Sequence, residues 1–223
     1  MNELFLKRLD KLQTAVLSIS ALLPALLVAV FIAGRWPEYW KWIASEDTPM
    51  TSLEVTVMYT IMLACWLAAA FHYVLGAQGV FRRWFVLGGG FLWLAMDDRF
   101  AIHERIRDRI LAPADISIPF LPMAPGDFII LLYMLAGLAL LPWLLPLFAG
   151  KRKAMRRFGA GVIIAAIAVL MDAFDIHRLS LDIQRFEQTL EECLELCAQV
   201  LFLQGLLLAW LDDVRTLVNS PRP

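Results

Sequence analysis

Two short stretches, DDRFAIHE (97–104) and MDAFDIHR (171–178), place an aspartate and a histidine five residues apart: Asp98 with His103, and Asp172 with His177. A third, LEECLEL (190–196), supplies Glu191, Glu192 and Glu195, and Glu54 stands alone in TSLEV (51–55). Carboxylates and imidazoles drawn from several helices are the donor set of a carboxylate-rich metal centre inside a bundle, suited to iron, manganese or zinc. The expected ligands are Glu54, Asp98, His103, Asp172, His177, Glu192 and Glu195, with Glu191 as an alternative on the last segment. The Glu-x-x-His pattern of soluble di-iron bundles does not occur. On an ideal helix Asp98 and His103 point about 140° apart, so both reach one pocket only if the helix breaks near Ala101, or else the histidine orients a neighbour. Asp97 with Glu104, and Glu192 with Glu195 and Gln199, share faces more readily.

The elements that would carry these residues are set by hydropathy. Hydrophobic types make up 60% of the 223 residues and charged types 18%, a balance typical of a chain solvated by lipid. About 20 apolar residues cross the hydrocarbon as helix. Six segments qualify: 13 to 33, 53 to 75, 82 to 102, 128 to 148, 158 to 177 and 191 to 211. None alternates as a barrel strand does, so the expectation is an all-α, polytopic six-helix bundle forming a single transmembrane domain over residues 1–223. The first segment is expected to be retained, because no small-residue cleavage pattern follows it cleanly.

Charge gives the orientation. Lys7, Arg8, Lys11, Arg82, Arg83 and the run KRKAMRR (151–157) fall on one side with few acids, which places both termini in the cytoplasm. The opposite side holds a surplus of acids, several at span ends. Ionisable groups at membrane depth are paired, protonated or bound to a cation. The alternative to a bound cation is a set of ion pairs with Arg99, Arg105, Arg107, Arg178 and Arg185.

The two Asp/His stretches belong to a longer repeat at an offset of 74: Gly76 with Gly150, Arg82 with Arg156, Arg83 with Arg157, and Trp84 with Phe158. Glu54 and Asp127 open the preceding helices, so hairpins 53–103 and 127–177 read as copies, and such repeats build sites at their interface.

Other candidates have structural readings. His72 lies about 27 Å from Glu54 along a straight helix and reads as a helix-end residue. Cys193 and Cys197 read as packing rather than soft-metal ligands, and with Cys65 they give no disulfide framework. The glycines of LGGGF (87–91) read as a helix-packing surface. The segment 111–127, with four prolines, reads equally as a lid or as a loop on the head groups.

The function expected is an integral membrane metalloprotein of the inner (plasma) membrane, acting as a metal-dependent enzyme on a lipid or other hydrophobic substrate at the outer side. Serine hydrolysis is not expected, because neither a nucleophile elbow nor a serine next to a base is visible. The same residues leave open a divalent cation transporter, although the inner halves of the spans offer no polar route, and a non-enzymatic subunit or sensor with structural ion pairs. Membrane lipids are the expected partners, homo-oligomers are compatible, and nucleic acid is not expected.

Overall fold

The computed structural model describes residues 2–44, 47–116, 126, 128–172 and 180–219, all without strands. The long helices are α1 (Asn2–Gly34), α3 (Pro49–Val74), α4 (Gln78–Phe100), α6 (Phe128–Leu144), α7 (Arg152–Asp172) and α8 (Leu181–Asn219). Two short ones, α2 (Trp40–Ile43) and α5 (Ile102–Ile106), lie between them, and a π-helical turn, Arg107–Leu111, follows α5.

Five helices are long and apolar enough to cross a membrane: α1, α3, α6 with its 3₁₀ extension to Phe148, α7 and α8. The segment expected as a further span is a helix, α4, 23 residues long, that is not among these five. Arg82, Arg83, Asp97 and Asp98 at its ends and three glycines in its middle make it less apolar than the others. Helix α8 is 39 residues, about 58 Å at 1.5 Å per residue, which exceeds the hydrocarbon thickness. Its first turns, with Asp182 and Glu187, therefore project beyond the apolar window expected at 191 to 211.

Helix α3 begins where Thr48, in extended conformation, is followed by Pro49 at the first helical position, where a missing N–H costs nothing. The core is built by α3 against α4 and by α7 against α8, with α3 also meeting α8. Phe148, Phe158, Phe202 and Phe91 form a ladder of rings at 4.5, 5.3 and 5.6 Å between centroids, tying α4, α7 and α8 together. Two glycines permit this closeness. A Cβ on Gly205 would lie 2.8 Å from the backbone nitrogen of Phe158, and one on Gly88 would lie 2.5 Å from Trp66. Gly89 and Gly90 meet nothing within 4 Å, so the packing surface expected from LGGGF reduces to Gly88 alone.

Helices α1 and α6 stand apart in character. Ile19, Leu22 and Leu26 of α1 and Leu132 and Leu135 of α6 are exposed, an apolar surface larger than a water-soluble fold sustains and suited to lipid. The two hairpins of the expected repeat differ in packing, since α3 lies along α4 whereas α6 touches α7 only slightly. Their turns agree: Gly76 (φ +73°) precedes α4 and Gly150 (φ +76°) precedes α7, and Trp84 and Phe158 are both buried. The proline-rich segment from 117 to 125, Asp127, and residues 173–179 with His177 and Arg178 lie outside the described residues.

Candidate functional site

Helices α3, α4, α7 and α8 alternate in direction, so the start of α3 and α8 meets the end of α4 and α7. Glu54, one turn into α3 from its proline, is 1% exposed. It shares a hydrogen bond with Glu192 of α8, and the charges acting on it are those of Glu192, Glu195 and Asp98. Among the described residues its Oε1 has no hydrogen-bond partner, nor has Oδ2 of Asp98 or Oε1 of Gln199, all three atoms being buried. Gln199, 8% exposed, lies one turn beyond Glu195 on the same face of α8. A buried polar atom left without a partner costs about 1–3 kcal/mol, more when charged, so three such atoms at one end of a bundle call for an explanation.

Asp98 stands between Glu195, Asp97, His103 and Glu104. The charges acting on Glu191 are those of Asp172, the largest, and of Glu195, Glu187 and Glu192. Asp172 itself is exposed at the end of α7. The structure thus brings Glu54, Asp98, Glu192 and Glu195 together, with His103 and Asp172 on the outer flank. Among the described residues, no three Asp, Glu, His or Cys side chains are placed so as to enclose a metal ion as they stand.

The helix does break at Ala101, whose φ of +46° and ψ of +48° lie in the left-handed region. The break brings His103 back to Asp97, whose carboxyl it meets directly, while its charge also acts on Asp98. His103 Nδ1 lies 2.7 Å from Asp97 Oδ2, and the His103 backbone N–H donates to Asp97 Oδ1 at 2.9 Å. The Tyr133 hydroxyl of α6 donates to the same Oδ1 at 3.4 Å. Burial works against protonation of His103, but the hydrogen bond and charge of Asp97, with Glu104 and Asp172 behind it, lift the imidazole above its ordinary value.

Asp97, at 4% exposure, is the residue that spacing missed. Six positions before the histidine, it points away from it on a regular helix, and only the left-handed residue between them reverses this. Tyr133 was missed because a lone tyrosine in an apolar helix carries no pattern.

Three of the arginines in the alternative compensation pair with surface acids, and Arg178 lies outside the described residues. Arg99 pairs with Asp47 at 3.2 Å, Arg107 with Asp108 at 2.8 Å and Arg185 with Asp182 at 3.5 Å, all at the surface. Arg185 also lies over the Trp40 ring, 4.1 Å from its centroid. Arg107 beside Asp108 holds that carboxyl below the usual range. Arg99 and Arg105 instead rim a cleft of about 200 Å³, lined also by Asp47, Asp98, Phe100 and Ala101, which opens the Asp98 side of the cluster to the exterior.

At the far end, His72 Nε2 lies 3.2 Å from Asp213 Oδ2, and Lys151 Nζ lies 2.6 Å from Asp213 Oδ1. This assigns His72 the structural role expected of it. Cys193 packs against the core, and Cys197 is exposed.

No curated protein and no solved structure shows significant similarity to the chain. Residues 12–210, which include every candidate ligand from Glu54 to Glu195, match the family described as Domain of unknown function (DUF8692), and the chain belongs to that family.

Proposed function

We propose that this is a six-span inner-membrane metalloprotein with both termini in the cytoplasm. It holds a divalent cation between Glu54, Asp98, Glu192 and Glu195, with His103 and Asp172 completing the outer side. The observation that carries this reading is the buried, unpartnered Oε1 of Glu54, facing three further carboxyls. Carboxyls at such depth are tolerated only with protons or a cation among them, and Arg99, Arg107 and Arg185 are paired with surface acids. Oxygen donors with one imidazole suit manganese, iron or zinc.

Glu54 and Glu192 are hydrogen-bonded, which requires a proton between the two carboxyls, and in this reading a cation takes the place of that proton. His177 and Asp127 are further donors in this reading. The second D-x-F-x-I-H copy, together with the paired turn glycines Gly76 and Gly150, supports two hairpins that present ligands to a common site. The charge run on the α7 side supports the orientation.

The chemistry is that of a metal-dependent enzyme acting on a lipid or other hydrophobic molecule: the cation supplies Lewis acidity or lowers the pKa of a bound water. The cleft beside Asp98 gives access. Elemental analysis of protein purified in mild detergent without added metal tests this. A stoichiometric divalent metal that disappears in Glu54→Gln and Asp98→Ala is expected. A metal-free wild type that also refuses manganese, iron and zinc would end the proposal.

A further inference from the structure

Asp97 is buried, and both of its carboxylate oxygens meet His103: Oδ2 lies 2.7 Å from His103 Nδ1, and Oδ1 accepts the His103 backbone N–H at 2.9 Å. The backbone carbonyl of Asp97 takes the N–H of Ala101, the left-handed residue that ends α4. Chain direction, backbone and ring of the histidine are therefore all fixed from one side chain. A non-glycine residue in this conformation costs about 1–2 kcal/mol, so the surrounding contacts hold the break against that strain.

The ring geometry has a chemical consequence. An imidazole that donates Nδ1–H to a carboxylate presents the lone pair of Nε2 outward, which is the arrangement in which histidine binds a metal most effectively. Here Nε2 lies 3.9 Å from Glu104 Oε1, too far for a hydrogen bond, and Asp98 and Asp172 are the other charges around the ring.

We infer that Asp97 is a positioning residue which turns His103 so that Nε2 is the atom offered to the cation at the acid end, while Asp97 itself does not touch the ion. The inference rests on the metalloprotein reading above. It separates two adjacent aspartates into different roles: Asp98 faces the shared carboxyl cluster, and Asp97 acts through the histidine. Tyr133, donating to Asp97 Oδ1 at 3.4 Å, holds the carboxylate from the α6 side.

The test uses the full chain in detergent, stripped of metal and titrated with Co²⁺, whose visible absorption reports its ligands. Asp97→Asn keeps an oxygen able to cap α5, since asparagine caps about as well as aspartate, but removes the charge behind the ring. The expected result is a loss of Co²⁺ affinity of about 10- to 100-fold, a spectrum displaced toward that of His103→Gln, and partial recovery in Asp97→Glu. A merely structural Asp97 would lower the melting temperature without moving the spectrum. Wild-type affinity and spectrum in Asp97→Asn, with His103→Gln clearly altered, would overturn the inference while leaving the metal reading intact. A wild type that binds no cobalt or other divalent cation would overturn both.

Discussion

Asp213, near the end of α8, reaches Lys151 at 2.6 Å and His72 at 3.2 Å. Arg215, two residues on, pairs with Asp212 at 3.2 Å and with Asp10 of α1. Between them, Arg157 donates to the buried Gln204, whose amide nitrogen donates to the Leu17 carbonyl and the Ser20 hydroxyl. Opposite charges are thus matched across α1, α3, α7 and α8, while the indole nitrogens of Trp84 and Trp210 are buried there without a partner among the described residues. At the other end of the same helices, Glu54, Asp98, Glu192 and Glu195 face one another, and buried oxygens of Glu54, Asp98 and Gln199 have no partner. One end is electrostatically closed and holds the bundle together. The other gathers carboxyls, and three of its buried side-chain oxygens lack a hydrogen-bond partner among the described residues, which is the condition for a site.

This contrast predicts opposite signs for similar substitutions. The largest effect is expected at the closed end. Asp213→Asn leaves Lys151 half-buried without its counter-charge and is expected to destabilise the protein by about 2–3 kcal/mol, with or without chelator, in thermal melts followed by circular dichroism. Glu54→Gln at the open end removes one of several like charges, so metal-free protein should melt at the same temperature or higher. Equal losses in both variants would erase the distinction between the ends.

A control belongs between them. Gly205→Ala brings a methyl carbon to 2.8 Å from the Phe158 backbone and forces α7 from α8. A loss of about 1–3 kcal/mol is expected, with the metal content of the surviving fold unchanged.

A pH profile sharpens the comparison. His103 is raised above its ordinary value in the fold, so the stability it contributes to metal-free protein is fully present below the unfolded value of about 6.5 and is lost as pH rises through the folded value. The wild type minus His103→Gln difference in melting temperature should therefore shrink across that window. A difference that grows with pH would contradict the Asp97–His103 pairing. The smallest effect is expected at the break itself: Ala101→Gly relieves left-handed strain at some entropic cost, for a net gain of about 0.5 kcal/mol.

Much of this contrast was legible in the sequence, for identifiable reasons. Hydropathy over windows of 20 residues located the long helices, because lipid solvation leaves little choice of residue, and α4 falls short only through its terminal charges and glycines. Periodicity placed Glu192, Glu195 and Gln199 on one face, where the structure has them. What periodicity could not supply was the left-handed residue at Ala101. Alanine is a strong helix former, and nothing local announces the break that makes Asp97 the hydrogen-bond partner of His103. The pairing of arginines was also illegible, since Arg99 finds Asp47 across a chain separation of 52 residues, and spacing carries no record of such contacts. The repeat was read from identities at one offset. Its turn glycines agree in conformation, but its hairpins pack differently, because packing depends on neighbours that the two copies do not share.

The central claim is that a divalent cation completes the acid end. The most direct measurement is the melting temperature of metal-stripped protein before and after addition of manganese, iron(II) or zinc, in wild type and Glu54→Gln side by side. At a ligand concentration about 100 times the dissociation constant, binding adds about 2.7 kcal/mol, so the wild type should melt several degrees higher with metal, while Glu54→Gln should not respond. A wild type whose melting is indifferent to all three ions, or a Glu54→Gln variant that responds equally, would contradict the account.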